Sequence, residues 1–227
     1  MIPPGSAAVP AAFREAPSIA VFFALEREAT PFRRILSLHG GTGIPACADQ
    51  TQARMPVPPK STNIQIHVSG IGRDRARRCV ERLLETTTPS LVIAAGFCGA
   101  LNPALKVGDI VESPRILTVD RLVCDPAEKR QLAAHADAVD MESAAIAEVC
   151  AAKGIEFLAV RAVSDASDTA LSPELVGLLS AGTVSAWKAL RALVWKPSLL
   201  PEFLRLGRDT HLAAKNLAEA LVNAIGR

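Results

Sequence analysis

Two carboxylates stand where short apolar runs give out: Glu142, in Val139-Asp140-Met141-Glu142-Ser143-Ala144-Ala145, and Asp165, in Arg161-Ala162-Val163-Ser164-Asp165. The first opens an Ala-rich helical pattern through Val149, and residues 155–163 read as a buried strand that delivers Ser164 and Asp165 to its C-terminal end. Strand ends in α/β sheets are where ligands bind. A carboxyl group held there can accept hydrogen bonds from a ligand or pass it a proton. Plainer accounts exist for both. Ser164-Asp165-Ala166-Ser167-Asp168 is also good helix-capping chemistry, and Glu142 is a first-turn residue favoured by the helix dipole.

The elements that must hold these groups alternate in type. Residues 19–25 form a continuous apolar strand and 26–38 carry a helical pattern, with Glu28 at the junction. Pro56, Pro58 and Pro59 break the chain before residues 64–68, which alternate as a half-buried strand and run into Ser69-Gly70-Ile71-Gly72. A helix over 73–85 follows. Residues 91–95 make a third buried strand ending in the glycine-rich loop Gly96-Phe97-Cys98-Gly99-Ala100-Leu101, and Lys106-Val107-Gly108-Asp109-Ile110-Val111 turns into a fourth strand. Strands alternating with helices imply a mainly parallel, layered sheet.

Composition narrows the function classes. With 227 residues, 49% of them hydrophobic, the chain can bury the core of a single α/β domain. Lys and Arg number 25 against 23 Asp and Glu, a balance that carries no nucleic-acid footprint. Arg73, Arg75, Arg77 and Arg78 cluster in a helical segment and read as a solvated face. Cys47, Cys79, Cys98, Cys124 and Cys150 lack the spacing of a metal site or a disulfide framework. Cys98 has no base partner in sequence and reads as a packing residue. Residues 1–17, rich in Pro and Ala and interrupted by Arg14 and Glu15, read as a loose tail rather than a secretion signal. The longest apolar runs fall short of a spanning helix, so a cytoplasmic, reduced protein is expected.

Gly70-Ile71-Gly72-Arg73-Asp74-Arg75-Ala76 follows a strand, opens a helix and imitates a dinucleotide fingerprint. The acidic ribose ligand that should end the next strand is replaced by Ala94, Ala95 and Gly96, which argues against a Rossmann site. In their order along the chain, Ala24-Leu25-Glu26-Arg27-Glu28, Ser69-Gly70-Ile71-Gly72, Gly99-Ala100-Leu101 with Lys106-Val107-Gly108-Asp109, Met141-Glu142 and Ser164-Asp165 resemble the signatures of the purine nucleoside phosphorylase and methylthioadenosine–S-adenosylhomocysteine nucleosidase superfamily.

That resemblance implies a three-layer α/β fold with a mainly parallel central mixed sheet flanked by helices, spanning 18–227 with a helical C-terminal extension. It implies cleavage of the N-glycosidic bond of a purine nucleoside, adenine being the expected base. Such cleavage needs a stabilised ribosyl cation, a neutralised departing purine and a nucleophile. Asp165 matches the general acid toward N7 of the base, with Ser164 orienting it. Glu142 matches the acceptor of the ribose 2' and 3' hydroxyls, and Met141 the residue against the sugar face. Glu28 matches the carboxylate that positions attacking water in the nucleosidase branch. Ser69 and Gly70 match the place where water or phosphate is held, and Gly96 completes the expected substrate-binding set. No metal or cofactor is implied, inorganic phosphate being a possible co-substrate.

The sequence also departs from the superfamily. The Arg and Ser that bind phosphate in hexameric phosphorylases appear as Ala94 and Phe97, so water and phosphate both stay open as nucleophiles. Arg27, Arg33 or Arg73 offers charge from another direction. Only residues 112–139 separate the fourth strand from the Met-Glu motif, and Leu122 falls where the family stacks a Phe on the purine. With Thr118-Val119-Asp120, Pro126-Ala127-Glu128-Lys129 and the long tail, this shortened form resembles the hopanoid-associated phosphorylases, which are linked to removing adenine from adenosylhopane. A bulky lipophilic 5' substituent is the implied substrate feature. Apolar spacing at Leu190, Leu193 and Val194, a break at Pro197, then Leu199, Leu200, Phe203, Leu204 and Leu206 fits helices that pack on the core, line a lipophilic passage or touch a membrane surface. The expected assembly is a homo-oligomer, a dimer first. The competing reading is a noncatalytic nucleoside-binding or storage protein of the same fold.

Overall fold

The computed structural model describes residues 18–40, 63–170, 172 and 199–226. The tail at 1–17, Cys47, the break at Pro56, Pro58 and Pro59, and Leu190, Leu193, Val194 and Pro197 lie outside the described residues.

Strand β1 (Ser18–Phe23) is apolar at successive positions because both of its faces are covered. Val21 and Phe23 join Ile93 and Ala95 of β3 (Leu91–Ala100) and Val160 and Ala162 of β7 (Glu156–Asp165) on one face of the sheet. Ala20 and Phe22 join Val92, Ala94 and Ala159 on the other. The first face is packed by Ala29 and Phe32 of α1 (Glu26–Gly40) and by Leu217 and Leu221 of the C-terminal helix, α5 (Leu200–Ile225). The second is packed by Ala76 and Val80 of α2 (Arg73–Leu84) and by Ile146 and Val149 of α4 (Ser143–Lys153). The alternation of side chains along each strand therefore sorts one apolar run into two cores, and three layers result.

The sheet has seven strands and is mostly parallel. β1 lies between β2 (Asn63–Val68) and β3, parallel to both, and β3 runs parallel with β7 along its other edge. β4 (Ile110–Glu112) closes that side, antiparallel to β7. The β1 pairing with β3 ends at Ala94, and β6 (Ala138–Asp140) pairs with β3 antiparallel at Gly99 and Ala100. β5 (Ile116–Thr118) runs parallel beside β6. The short helix α3 (Pro126–Leu132), capped by Asp125, lies between these two strands in sequence.

Two expectations need correction. The stretch from Gly96 to Ala100 is strand, not loop, because β7 pairs with it along its length and β6 takes over its far edge. Its glycines clear space rather than turn the chain. A Cβ on Gly96 would stand 2.5 Å from Nη1 of Arg161, and one on Gly99 would stand 3.1 Å from Oδ2 of Asp165. The arginine cluster, second, is solvated only in part. Arg73 and Arg77 both reach Glu148 on α4 and tie the two helices together, while Arg75 and Arg78 are exposed.

Of the apolar residues expected at the start of α5, Leu199 is buried while Leu200 and Leu204 are exposed, and the helix packs on the core through its later turns, with Leu217 and Leu221 fully buried. Burying such side chains is worth about 1.5–3 kcal/mol each, so α5 is part of the core. Among the described residues no helix is long and apolar enough to cross a membrane.

Candidate active site

Three parallel strands and the turn after β6 bring their C-terminal ends to one cleft of about 390 Å³, within the range of small-molecule sites. Glu28, Met141, Glu142, Ser164 and Asp165 all line it. Residues from three separate parts of the chain, α1, the β6–α4 turn and β7, are thus joined. Ser69, Gly70 and Gly96 are not among its lining residues: the Ser69 hydroxyl has the carbonyls of Gly70 (2.9 Å) and Phe23 (3.3 Å) in reach of its single proton, and Gly96 sits behind Arg161 and Glu28.

Glu28 follows β1 directly and folds back into the protein. Its Oε2 accepts from the Leu25 amide (2.8 Å) and its Oε1 from the Phe97 amide on β3 (3.2 Å). Burial pushes its carboxyl from the ordinary 4.5 up to about 7, with the Leu25 amide and the Arg161 charge pulling the other way. A glutamate at that point is poised to gain or lose a proton near neutrality.

Glu142 begins α4, but its side chain does not cap the helix. It reaches instead to the β2–α2 turn, where Oε1 accepts from the Gly72 amide at 2.9 Å. Gly72 can present that amide because its φ of 102° is a backbone region that side-chain-bearing residues rarely adopt. The Glu142 carboxyl is also raised, by burial first, against the opposing Arg161 charge. The dipole account of Glu142 is therefore incomplete.

At the centre lies Arg161, 1% exposed in mid-strand. Its Nη2 is 2.6 Å from Oδ2 of Asp140, its Nη1 is 3.5 Å from Oε2 of Glu142, and Nε and Nη2 donate to the Ser143 hydroxyl. Burial opposes its charge, yet Asp140, Glu142 and Glu28 together outweigh that and raise it above its usual value. Asp140 is held in turn by Thr118 Oγ1 (2.5 Å) and by the Ser143 amide (3.0 Å). Asp140 and Arg161 stand inside the two motifs, yet the resemblance assigns neither a role. A signal existed: a charged residue inside an apolar strand must find partners, because burying it unpaired is prohibitive.

Asp165 marks the other end. The Ser164 hydroxyl lies 2.9 Å from its Oδ1 and 3.2 Å from the Cys98 carbonyl, while Lys129 Nζ stands 2.5 Å from its Oδ2. Lys129 is fully buried on α3 and also donates to the Ala166 carbonyl at 2.8 Å. Nothing in its sequence context, a short polar helix, distinguishes it from a surface lysine. Cys98 is buried and its thiol is pushed well above the usual range by desolvation, which suits a packing residue.

The arginines offered as alternative anion ligands are mostly engaged. Arg33 pairs with Glu26, and Arg73 with Asp120 and Glu148. Arg27 lines the cleft with its guanidinium 5.8 Å from the centre of the Phe97 ring. Ala94 is fully buried away from the cleft, and Leu122 stands at its wall, 37% exposed. Among the described residues no group of three or more His, Cys, Asp and Glu side chains is gathered as metal ligands would be.

A mostly parallel sheet between helical layers, with acidic side chains gathered at its strand ends, fits the nucleoside phosphorylase-like class of α/β protein. The chain belongs to the phosphorylase superfamily, whose family model matches residues 18–117 and 113–190. It is 30% identical over 161 residues to the 5'-methylthioadenosine/S-adenosylhomocysteine nucleosidase of Glaesserella parasuis, covering 48% of this chain and 70% of that one. To the enzyme of the same name from Anoxybacillus flavithermus it is 25% identical over 202 residues, covering 65% and 85%. Its fold is similar to that of the Helicobacter pylori 5'-methylthioadenosine/S-adenosylhomocysteine nucleosidase (TM-score 0.62, 16% identity, 93% and 98% covered). The futalosine hydrolase of the same organism is also similar (TM-score 0.61, 17% identity, 91% and 96% covered).

Proposed function

We propose that this chain is an enzyme that cleaves the N-glycosidic bond of an adenine nucleoside, with water as the nucleophile. The observation that carries the reading is the cluster of three carboxylates, Glu28, Asp140 and Glu142, around the single guanidinium of Arg161. A surplus of negative charge in a buried cleft favours the oxocarbenium-like state that develops on ribose. The same surplus disfavours a phosphate dianion. Among the described cleft residues Arg27 is the cation with no carboxylate partner, lying instead over Phe97.

In this reading Asp165 protonates the departing base at N7 and Ser164 orients it. Glu142 accepts from the ribose 2' and 3' hydroxyls, and Met141 covers the sugar. Glu28 takes a proton from the attacking water, held near the turn at Ser69 and Gly70, while Gly96 serves by admitting Arg161 and Glu28 to the site. No cofactor is needed. A purely binding role is not favoured, since the named relatives are nucleosidases.

The finer substrate reading is a nucleoside with an apolar 5' extension, as in adenosylhopane. Support comes from Leu122, Val123 and, from α5, Leu206, all of which line the cleft. Leu200, Leu204 and Leu212 are exposed on α5 and suit contact with lipid or with a second copy in a homodimer. A cytoplasmic protein with one domain over 18–227 completes the proposal.

The test is product analysis. Purified protein is incubated with adenosine and 5'-alkylated adenosines, with and without inorganic phosphate. Adenine plus free ribose, unaffected by phosphate, is the expected result. Ribose 1-phosphate as the only sugar product overturns the hydrolytic reading and makes Arg27 the first phosphate ligand to mutate.

A further inference from the structure

Lys129 is a buried ion in a site that the proposed chemistry has not yet used. Its ammonium approaches Oδ2 of Asp165 from α3, and Lys129 is not among the residues lining the cleft, whereas Asp165 is. Three features fit an Asp165 that changes protonation state. Lys129 supplies a donor on one carboxylate oxygen. Gly99 leaves room beside that oxygen, where a Cβ would come within 3.1 Å. On the other oxygen, the Ser164 hydroxyl has two acceptors in reach, Oδ1 of Asp165 at 2.9 Å and the Cys98 carbonyl at 3.2 Å. A hydroxyl has one proton to donate, so it serves Asp165 when that group is a carboxylate and turns to Cys98 when Asp165 carries a proton. Either state keeps its hydrogen bonds.

We propose that Lys129 is a positioning residue behind Asp165 whose ammonium stabilises the carboxylate formed when Asp165 gives up its proton, a role that rests on the N-glycosidase reading and deepens it. As the C1'–N9 bond breaks, its electron pair passes to the purine. N7 takes a proton from Asp165, the Lys129 ammonium at Oδ2 stays charged and pairs with the carboxylate left behind, and Asp165 recovers a proton from solvent through the cleft after the base departs. The short segment between β5 and β6 thus does more than open the cleft. It sets α3, fixed by the Asp125 cap, where its one buried lysine meets the general acid.

The experiment compares leaving groups. Adenosine needs base protonation, whereas 4-nitrophenyl β-D-ribofuranoside releases a stable phenolate and needs none. In Lys129→Met, kcat on adenosine should fall about a hundredfold or more, the usual reach of general acid catalysis. The loss on the nitrophenyl riboside should stay below about tenfold, with KM little changed on either substrate. Equal losses on both substrates in a folded variant overturn the proposal in favour of a structural tether. Should the single variant melt, Asp165→Asn and the double variant Asp165→Asn/Lys129→Met are compared, since the double removes both charges together. Non-additive loss, the double no slower than Asp165→Asn alone, is expected because Lys129 acts through Asp165. A further hundredfold drop in the double overturns it. Wild-type protein that cleaves neither glycoside removes the N-glycosidase reading itself, and this proposal with it.

Discussion

The two ends of the cleft are charged on different plans. At the Arg161 end three carboxylates share one guanidinium, and the Glu28 carboxyl is driven up to about 7 by burial. At the Asp165 end one buried ammonium meets one carboxylate, with a serine hydroxyl completing the set. The first arrangement holds an excess of negative charge where a cation is to form. The second is balanced, and an ammonium beside Asp165 suits a group that is left as a carboxylate once it has handed over its proton. Glycines enter both ends for one reason: Gly96 and Gly99 make room for the side chains of Arg161 and Asp165.

The largest effect should come from the balanced end. Asp165→Asn keeps shape and hydrogen bonding but delivers no proton, so base release should fall about a hundredfold to ten-thousandfold. Nucleoside binding, read by calorimetry, should stay within an order of magnitude. Unchanged turnover would sink the acid assignment.

At the crowded end, Glu28→Gln should reduce hydrolysis about a hundredfold and flatten its pH dependence. Only the ionised carboxylate can take a proton from water, so kcat/KM of the parent should rise as pH climbs through about 7. A parent profile flat from pH 6 to 8 would contradict this. Glu142→Gln should cost about tenfold to a hundredfold on ribosides, the scale of a lost hydrogen bond to a charged group. The loss should shrink on 2'-deoxyribosides, and equal losses on both sugars would remove the 2' hydroxyl as its partner.

A smaller effect belongs to the apolar wall. Leu206→Ala should lower kcat/KM for 5'-alkylated adenosines several-fold relative to adenosine, because each buried methylene is worth about 0.8 kcal/mol. A parent enzyme that prefers plain adenosine to every alkylated analogue rules out the lipophilic pocket. Cutting the chain before α5 is no test of it, since the helix carries Leu217 and Leu221 into the core.

The smallest effect is thermodynamic. The folded protein keeps the Glu28 proton up to about pH 7, whereas the unfolded chain releases it near 4.5, so the folded state binds more protons between those values. Stability present below 4.5 is therefore lost as pH rises through 7. The melting temperature of Glu28→Gln relative to the parent should climb by a few degrees between pH 5 and pH 8. A constant difference would mean that Glu28 titrates as an ordinary glutamate.

Much of the fold was legible in the chain because alternating apolar strands and amphipathic helices are local patterns. The segments at 19–25, 64–68, 73–85 and 155–163 emerge as β1, β2, α2 and β7 within a few residues. Glu28, Met141, Glu142, Ser164 and Asp165 could be named because each sits in a short motif that resembles a superfamily signature, Glu142 and Asp165 also standing where apolar runs give out. Gly96 to Ala100 misled, since a glycine-rich run looks like a loop until its partners on both edges are known. Lys129 was invisible for a stronger reason. Whether a lysine on a short polar helix is solvated or buried depends on what lies across from it, and Asp165 is far away in sequence. The sequence by itself determined the strand ends and the carboxylates they carry. The pairing of those carboxylates with Arg161 and Lys129, and so which of them is driven up toward neutrality and which is held in a balanced pair, was decided only by tertiary structure, because desolvation and charge coupling depend on distances that local sequence does not encode.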